Sequence, residues 1–178
     1  MNAFEVQILK HIQDFASCDM LDFIMKLISR LGDKGAIWIV GALILCMFKK
    51  SRKAGIISAI SLIFCLIIGN VILKPVFGRI RPYDFDTTLK VIIPLLKDAS
   101  FPSGHTMAAF AFCHSVSAQY KKFRTPLYIA AVSMGLSRIY LCVHYPTDVI
   151  FGALFGICFA IGAKKVYELI TKGGKHNE

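Results

Sequence analysis

Residues 54–73, "AGIISAISLIFCLIIGNVIL", run for twenty positions without a charge. At about 1.5 Å per helical residue, such a run crosses a hydrocarbon core of about 30 Å. The rest of the chain agrees. It is 56% hydrophobic with mean hydropathy +0.60, where a soluble domain holds roughly 45–50% apolar residues. The excess sits in blocks. A chain of 178 residues is about the size of one domain, so 1–178 reads as a single integral membrane domain. The expected fold class is all-α, a polytopic membrane helical bundle. The N-terminus lacks a basic region followed by an apolar core, so no cleavable signal peptide is expected.

A formal net charge of +10 raises the question of nucleic acid. The placement of the charge argues against it. Lys49, Lys50, Arg52 and Lys53 end one apolar block, Lys121, Lys122 and Arg124 end another, and Lys164 and Lys165 a third. That is the positive-inside pattern of cytoplasmic loops in a cell-membrane protein. The six cysteines (18, 46, 65, 113, 142, 158) are scattered, mostly inside apolar blocks, and read as small hydrophobes.

Phe4, Ile8, Ile12 and Phe15 share one helical stripe in 3–16, which predicts an amphipathic helix in the membrane interface. Residues 20–31 carry Asp22, Lys26 and Arg30 at four-residue steps and read as a short buried span or a re-entrant piece. Further spans are predicted over 35–48, 54–73, 104–119, 126–141 and 147–163. The total is five or six, and six is the expected number. Six puts both termini, with Lys10, Lys172 and Lys175, on the cytoplasmic side. With the basic clusters inside, 54–73 runs outward, 104–119 inward, 126–141 outward and 147–163 inward.

This topology gathers polar groups at the extracytoplasmic ends of four helices. Lys74 ends an outward span, "PSGH" (102–105) opens an inward one, Arg138 nears the end of the next, and "HYPTD" (144–148) opens the last. Charges near lipid are costly and usually functional. Ser103 is placed to cap the following helix, and Gly104 lets an anion approach its amides. The site is thus either a plain N-cap or an anion-binding helix end. His105 beside such an end is either structural or a proton donor. His114, nine residues on, lies on another face and reads as a shielded polar residue. Pro146 suits a first helical position. His144 then lies just before that helix and Asp148 in its first turn, close enough for the carboxylate to accept from the imidazole; otherwise Asp148 simply helps to cap the helix. No serine nucleophile is spaced to use this pair, which leaves the histidine itself to attack. Lys74, Arg79, Arg81 and Arg138 break the positive-inside trend unless they serve a phosphate, which arginine binds bidentately. No cluster of Asp, Glu, His or Cys has metal-ligand spacing near them.

"KPVFGRIRP" (74–82), "PSGH" (102–105) and "SRIYLCVHYPTD" (137–148) together resemble the three-part signature of the type 2 phosphatidic acid phosphatase superfamily. Every signature position is filled, in order, across a region of about 54–165. The resemblance implies a membrane lipid phosphatase. His144 would form a phosphohistidine, Asp148 would orient it, and His105 would protonate the leaving group. Lys74, Arg81, Ser103, Gly104 and Arg138 would bind phosphate. It implies no metal and no cofactor; the cations and the helix N-terminus take the electrostatic role. Arg79 lies outside the signature and receives no catalytic role. The expected partner is a lipid phosphate within the membrane, not nucleic acid. Undecaprenyl diphosphate is favoured by an outward site, with phosphatidylglycerophosphate, phosphatidic acid and lipid A as alternatives. A lipid phosphotransferase would use the same phosphohistidine.

Overall fold

The computed structural model describes residues 2–173. Among them there is helix and loop but no strand. Helices α1 (Asn2–Ala16), α2 (Asp19–Leu31) and α3 (Ala36–Met47) come first. Then α4 (Arg52–Phe64) continues through a π-helical stretch, Cys65–Leu73, into the short α5 (Lys74–Phe77). One turn of helix, α6 (Pro82–Phe85), precedes a long irregular segment. Helices α7 (Gly104–Gln119), α8 (Arg124–Tyr140) and α9 (Pro146–Gly173) complete the chain. Two stretches, Arg52–Phe85 and Pro146–Lys172, are long and apolar enough to cross a membrane by length and composition.

α7 is the axis of the bundle, packed on α9, α8 and α4. It is buried nearly all round, from Thr106 to Ser117. A helix that is apolar on every side belongs in such a place. Its Ala108, Ala109, Phe112 and Cys113 pack with Trp38 of α3 and Met134 of α8. Small residues bring backbones close, as expected where lipid supplies no hydrophobic drive between helices. A Cβ on Gly156 of α9 would stand 2.4 Å from the Met107 carbonyl oxygen. Outside the bundle, Val40, Leu43, Leu66, Val132 and Leu154 remain exposed, an apolar surface suited to lipid.

The basic clusters share one end. Tyr120 donates to the Lys50 carbonyl at 2.7 Å, and Lys53 lies 5.8 Å from the Tyr167 ring centroid. α9 continues through the Lys164–Lys165 pair, where 147–163 was expected to stop, because lysine and glutamate are good helix formers.

Two expectations about the N-terminal region need correction. Lys10 does not join the basic end: it pairs with Asp86 at 2.8 Å, and Val6 and Leu9 of α1 pack on Leu89, Cys142 and Tyr145 at the opposite end. Lys175 lies outside the described residues. α2 also stays at that opposite end. Tyr140 donates to Asp22 at 2.5 Å, Arg138 donates to Ser29, and Asp33, just beyond α2, meets His105. Thirteen residues rise only about 20 Å. Both helices turn apolar residues outward: Phe4 and Phe15 from α1, Met20, Phe23 and Leu27 from α2. That is the amphipathic pattern of helices lying in an interface.

Candidate active site

The end of the bundle away from the basic clusters collects the polar groups. Two helix N-termini stand side by side there. The Ser103 amide donates to the Asp148 carbonyl at 3.1 Å, and a Cβ on Gly152 would stand 2.8 Å from the Ser103 carbonyl oxygen. Both helices therefore start in register, one carrying His105 and the other Asp148.

α9 starts at Pro146, as its fixed φ favours. Asp148 Oδ2 reaches back to accept the Tyr145 amide at 2.9 Å, the reciprocal half of a capping box. The same oxygen accepts from Ser100 Oγ at 2.5 Å and faces His144 Nδ1 at 3.5 Å. One carboxylate thus stands both at the cap and beside the imidazole, the two positions that the sequence left as alternatives. The contact of 3.5 Å lies at the outer edge of hydrogen-bond range; such contacts often tighten when substrate binds. His144 and Asp148 are both buried.

Lys74 and Arg81 converge from opposite sides of Gly78, whose φ of +52° turns the chain between them. Asp98 bridges the two cations. Its Oδ1 accepts from Arg81 Nη2 at 2.6 Å and its Oδ2 pairs with Lys74. Arg81 also donates to the Asp98 and Val143 carbonyls at 2.8 and 2.7 Å. Partial burial alone would raise the Asp98 carboxyl, but Lys74 and Arg81 hold it down to about 2. It stays an anion at any working pH, bonded to the cations as phosphate oxygens would be. Arg138 is 1% exposed. Its Nη1 donates to Ser29, while among the described residues its Nε and Nη2 have no partner.

Ser103 holds the N-cap position of α7, yet no side-chain cap bond forms. Its hydroxyl bonds to Thr106 Oγ1 at 2.9 Å instead. The expected cap is therefore wrong in detail. The first-turn amides keep no helical acceptor, which preserves an anion site. A Cβ on Gly104 would meet Asn70 Oδ1 at 2.9 Å. His105 Nε2 pairs with Asp33 Oδ1 at 3.1 Å, and its ring edge lies against Gly32, where a Cβ would come within 2.9 Å of His105 Cδ2. His114 is elsewhere, bonded to Tyr128 at 2.6 Å. Among the described residues no three His, Cys, Asp or Glu side chains form a metal-holding group.

A cavity of about 680 Å³ runs from these groups between α3 and α4. Its polar end is lined by Lys74, Arg81, His105 and His144, and its apolar end by Leu43 of α3 and Leu62 of α4.

Residues 54–172 match the family model described as the PAP2 superfamily. The chain belongs to the PAP2 superfamily. Its PAP2 relatives include the undecaprenyl-diphosphatase of Sulfolobus acidocaldarius, 32% identical over 86% of this chain and 73% of that protein. The undecaprenyl-diphosphatase BcrC of Bacillus subtilis is 36% identical over 65% of this chain and 55% of its own length. LpxE of Aquifex aeolicus superposes with a TM-score of 0.77 at 27% identity, covering 89% of this chain and 93% of that one.

Sequence reasoning missed Ser100, Asp98 and Asp33 as parts of this end, and it placed Arg79 here without a role. Asp98 and Ser100 sit just ahead of "FPSGH" in a segment with no periodicity, so only their proximity to that motif hinted at them.

The site's electrostatics give a testable pH dependence. Burial, together with the Arg81 and Arg138 charges, pushes the His144 imidazole down to about 3 against the pull of Asp148. An unfolded chain binds that proton near pH 6.5. Between these values the unfolded state holds the extra proton, so stability falls as pH falls, by at most about 1.4 kcal/mol per pH unit. Melting temperature in detergent should decline from pH 6.5 to pH 4, and His144→Gln should flatten that decline. An unchanged slope in His144→Gln would assign the acid sensitivity to other groups.

Proposed function

We propose that this membrane phosphatase removes the terminal phosphate of undecaprenyl diphosphate, or of a closely similar polyprenyl diphosphate, through a phosphohistidine. One observation carries the reading: Arg138, buried and with two guanidinium nitrogens unpartnered, lies in a cluster with Lys74 and Arg81. Unpaired buried donors are costly. A cation cluster at the polar mouth of an apolar cavity suits a phosphate head on a lipid tail. The names of the relatives support the polyprenyl substrate.

In this mechanism His144 stays neutral and Asp148 holds its Nδ1 proton, leaving Nε2 to attack phosphorus. The P–N bond forms as the P–O bond to the leaving group breaks. Lys74, Arg81, Arg138 and the first-turn amides of α7 stabilise the charge on the equatorial oxygens. His105 delivers its proton to the leaving oxygen. Water then attacks phosphorus and gives a proton to the now neutral His105, the P–N bond breaks to restore His144, and inorganic phosphate leaves. Asp98 moves off the cations as substrate enters. No step requires a metal.

The crossing helices in this reading are five: α3, α4 with α5, α7, α8 and α9. α1 and α2 lie in the outer interface, and the basic end faces the cytoplasm by the positive-inside rule. The active site is then extracytoplasmic. Purified protein should release phosphate from undecaprenyl diphosphate in EDTA, without an acceptor, and faster than from phosphatidylglycerophosphate or phosphatidic acid. Preference for either phospholipid would move the assignment to phospholipid turnover, and a requirement for an acceptor would make the protein a phosphotransferase. Cys142 is fully buried and makes a poor sidedness label, so a tag in the 86–97 segment serves instead. Tag accessibility only in opened cells would reverse the orientation.

A further inference from the structure

Arg79 lies two residues before the phosphate-binding Arg81, but the structure turns it the other way, behind Asp148. Nη1 donates to Asp148 Oδ1 at 2.5 Å and to Thr147 Oγ1 at 2.7 Å. Nη2 donates to Glu5 Oε2 at 2.5 Å and to Asn2 Oδ1 at 2.9 Å. Its flat face covers the Tyr145 ring at 3.9 Å from the centroid, and its carbonyl accepts the Ser100 amide at 2.8 Å. Both terminal nitrogens of the guanidinium are thus engaged away from the cavity. Arg79 is placed to hold Asp148, not to bind phosphate.

Glu5 belongs to α1, more than 140 residues away in sequence from the helix it supports. It is 4% exposed. Oε2 takes Arg79, while Oε1 accepts the Thr147 amide at 2.9 Å and the Thr147 hydroxyl at 2.7 Å. Glu5 therefore fills an acceptor role at the first turn of α9, where a negative charge is favoured. A buried carboxylate is tolerated only when paired and hydrogen-bonded, and here both oxygens are. α1 presents Phe4 and Phe15 on its outer face and sends Glu5 inward from the other.

We propose that Glu5 and Arg79 are positioning residues for the nucleophile: α1 carries Glu5 in to fix Arg79, which fixes Asp148 Oδ1, and Asp148 orients His144. Ser100 and the Tyr145 amide fix Oδ2, so the Arg79 contact is what prevents the carboxylate from rotating about its own axis. The amphipathic first helix is then a part of the active-site structure and not only a membrane anchor. This inference rests on the phosphohistidine reading above.

The test uses the full-length protein in micelles, with a lipid diphosphate and with kcat and KM measured separately. Glu5→Gln keeps shape and removes the charge. Arg79→Lys keeps a charge but loses the planar fork that bridges two carboxylates. Each should lower kcat about 10–100-fold, slow phosphoenzyme formation equally, and leave KM within about threefold because the phosphate-binding cations are untouched. In an Asp148→Asn background, Glu5→Gln should cost little more, since it acts through Asp148. Wild-type kcat in both single variants overturns the inference. So does a loss that vanishes when activity is normalised to monodisperse protein, or a Glu5→Gln effect that is undiminished beside Asp148→Asn. His144→Ala separates the two levels. If it remains active, the phosphohistidine reading fails; if it is inactive while Glu5→Gln and Arg79→Lys are unaffected, only the positioning role fails.

Discussion

His144→Ala should show no phosphoenzyme and a turnover reduced on the order of 10⁴-fold or more, because no other group reaches phosphorus to share its role. The structure makes this a clean experiment. His144 sits in the short loop between α8 and α9, and its ring meets Asp148 and Ser100 without supporting a helix cap of its own. Asp148 keeps the Ser100, Tyr145 and Arg79 bonds in the variant. The fold should therefore survive, and binding of inorganic phosphate should persist on Lys74, Arg81 and Arg138. Acid-quenched protein incubated with labelled lipid diphosphate would carry label in wild type and none in His144→Ala. Label retained in the variant would place the nucleophile elsewhere.

His105→Ala should lose about 10²–10⁴-fold in kcat, the usual worth of a general acid. The loss should depend on the leaving group. A lipid monoester expels an alkoxide and needs the proton most. A lipid diphosphate expels a phosphate oxygen, a weaker base, and should lose less. An equal loss on both would assign His105 to phosphate binding. Asp33 pairs with the imidazole at 3.1 Å and so fixes the direction in which the ring points, and Asp33→Asn should reproduce a weaker version of the same leaving-group pattern.

The membrane character and the reaction class were legible along the chain because both are local. A run of twenty uncharged residues states its solvent. "PSGH" and "HYPTD" carry their chemistry within one helical turn, and the described α7 starts at Gly104 and α9 at Pro146 where glycine and proline predict. The basic clusters located one end of the bundle, and two side-chain contacts bring them together there.

What the sequence left open depends on how faces are buried. In lipid an outward apolar face and an inward one look alike, so the stripe of Phe4 and Phe15 could not say that Glu5, on the other side of the same helix, enters the protein. α2 has the apolar length of a short span, and its bonds from Tyr140 and Arg138, with the packing of Leu21 and Met25, hold it at the site end. The Ser103 hydroxyl turned to the Thr106 hydroxyl and not to a first-turn amide. Arg79 and Arg81 are two residues apart and identical in type, yet Arg81 lines the cavity and Arg79 pairs with Asp148 behind it. The sequence by itself determined the solvent, most of the helices and the reaction class, because each is set by residues within a turn or a span of one another. Only the tertiary structure decided which charges meet, because burying an ion requires a partner, and here that partner comes from the far end of the chain.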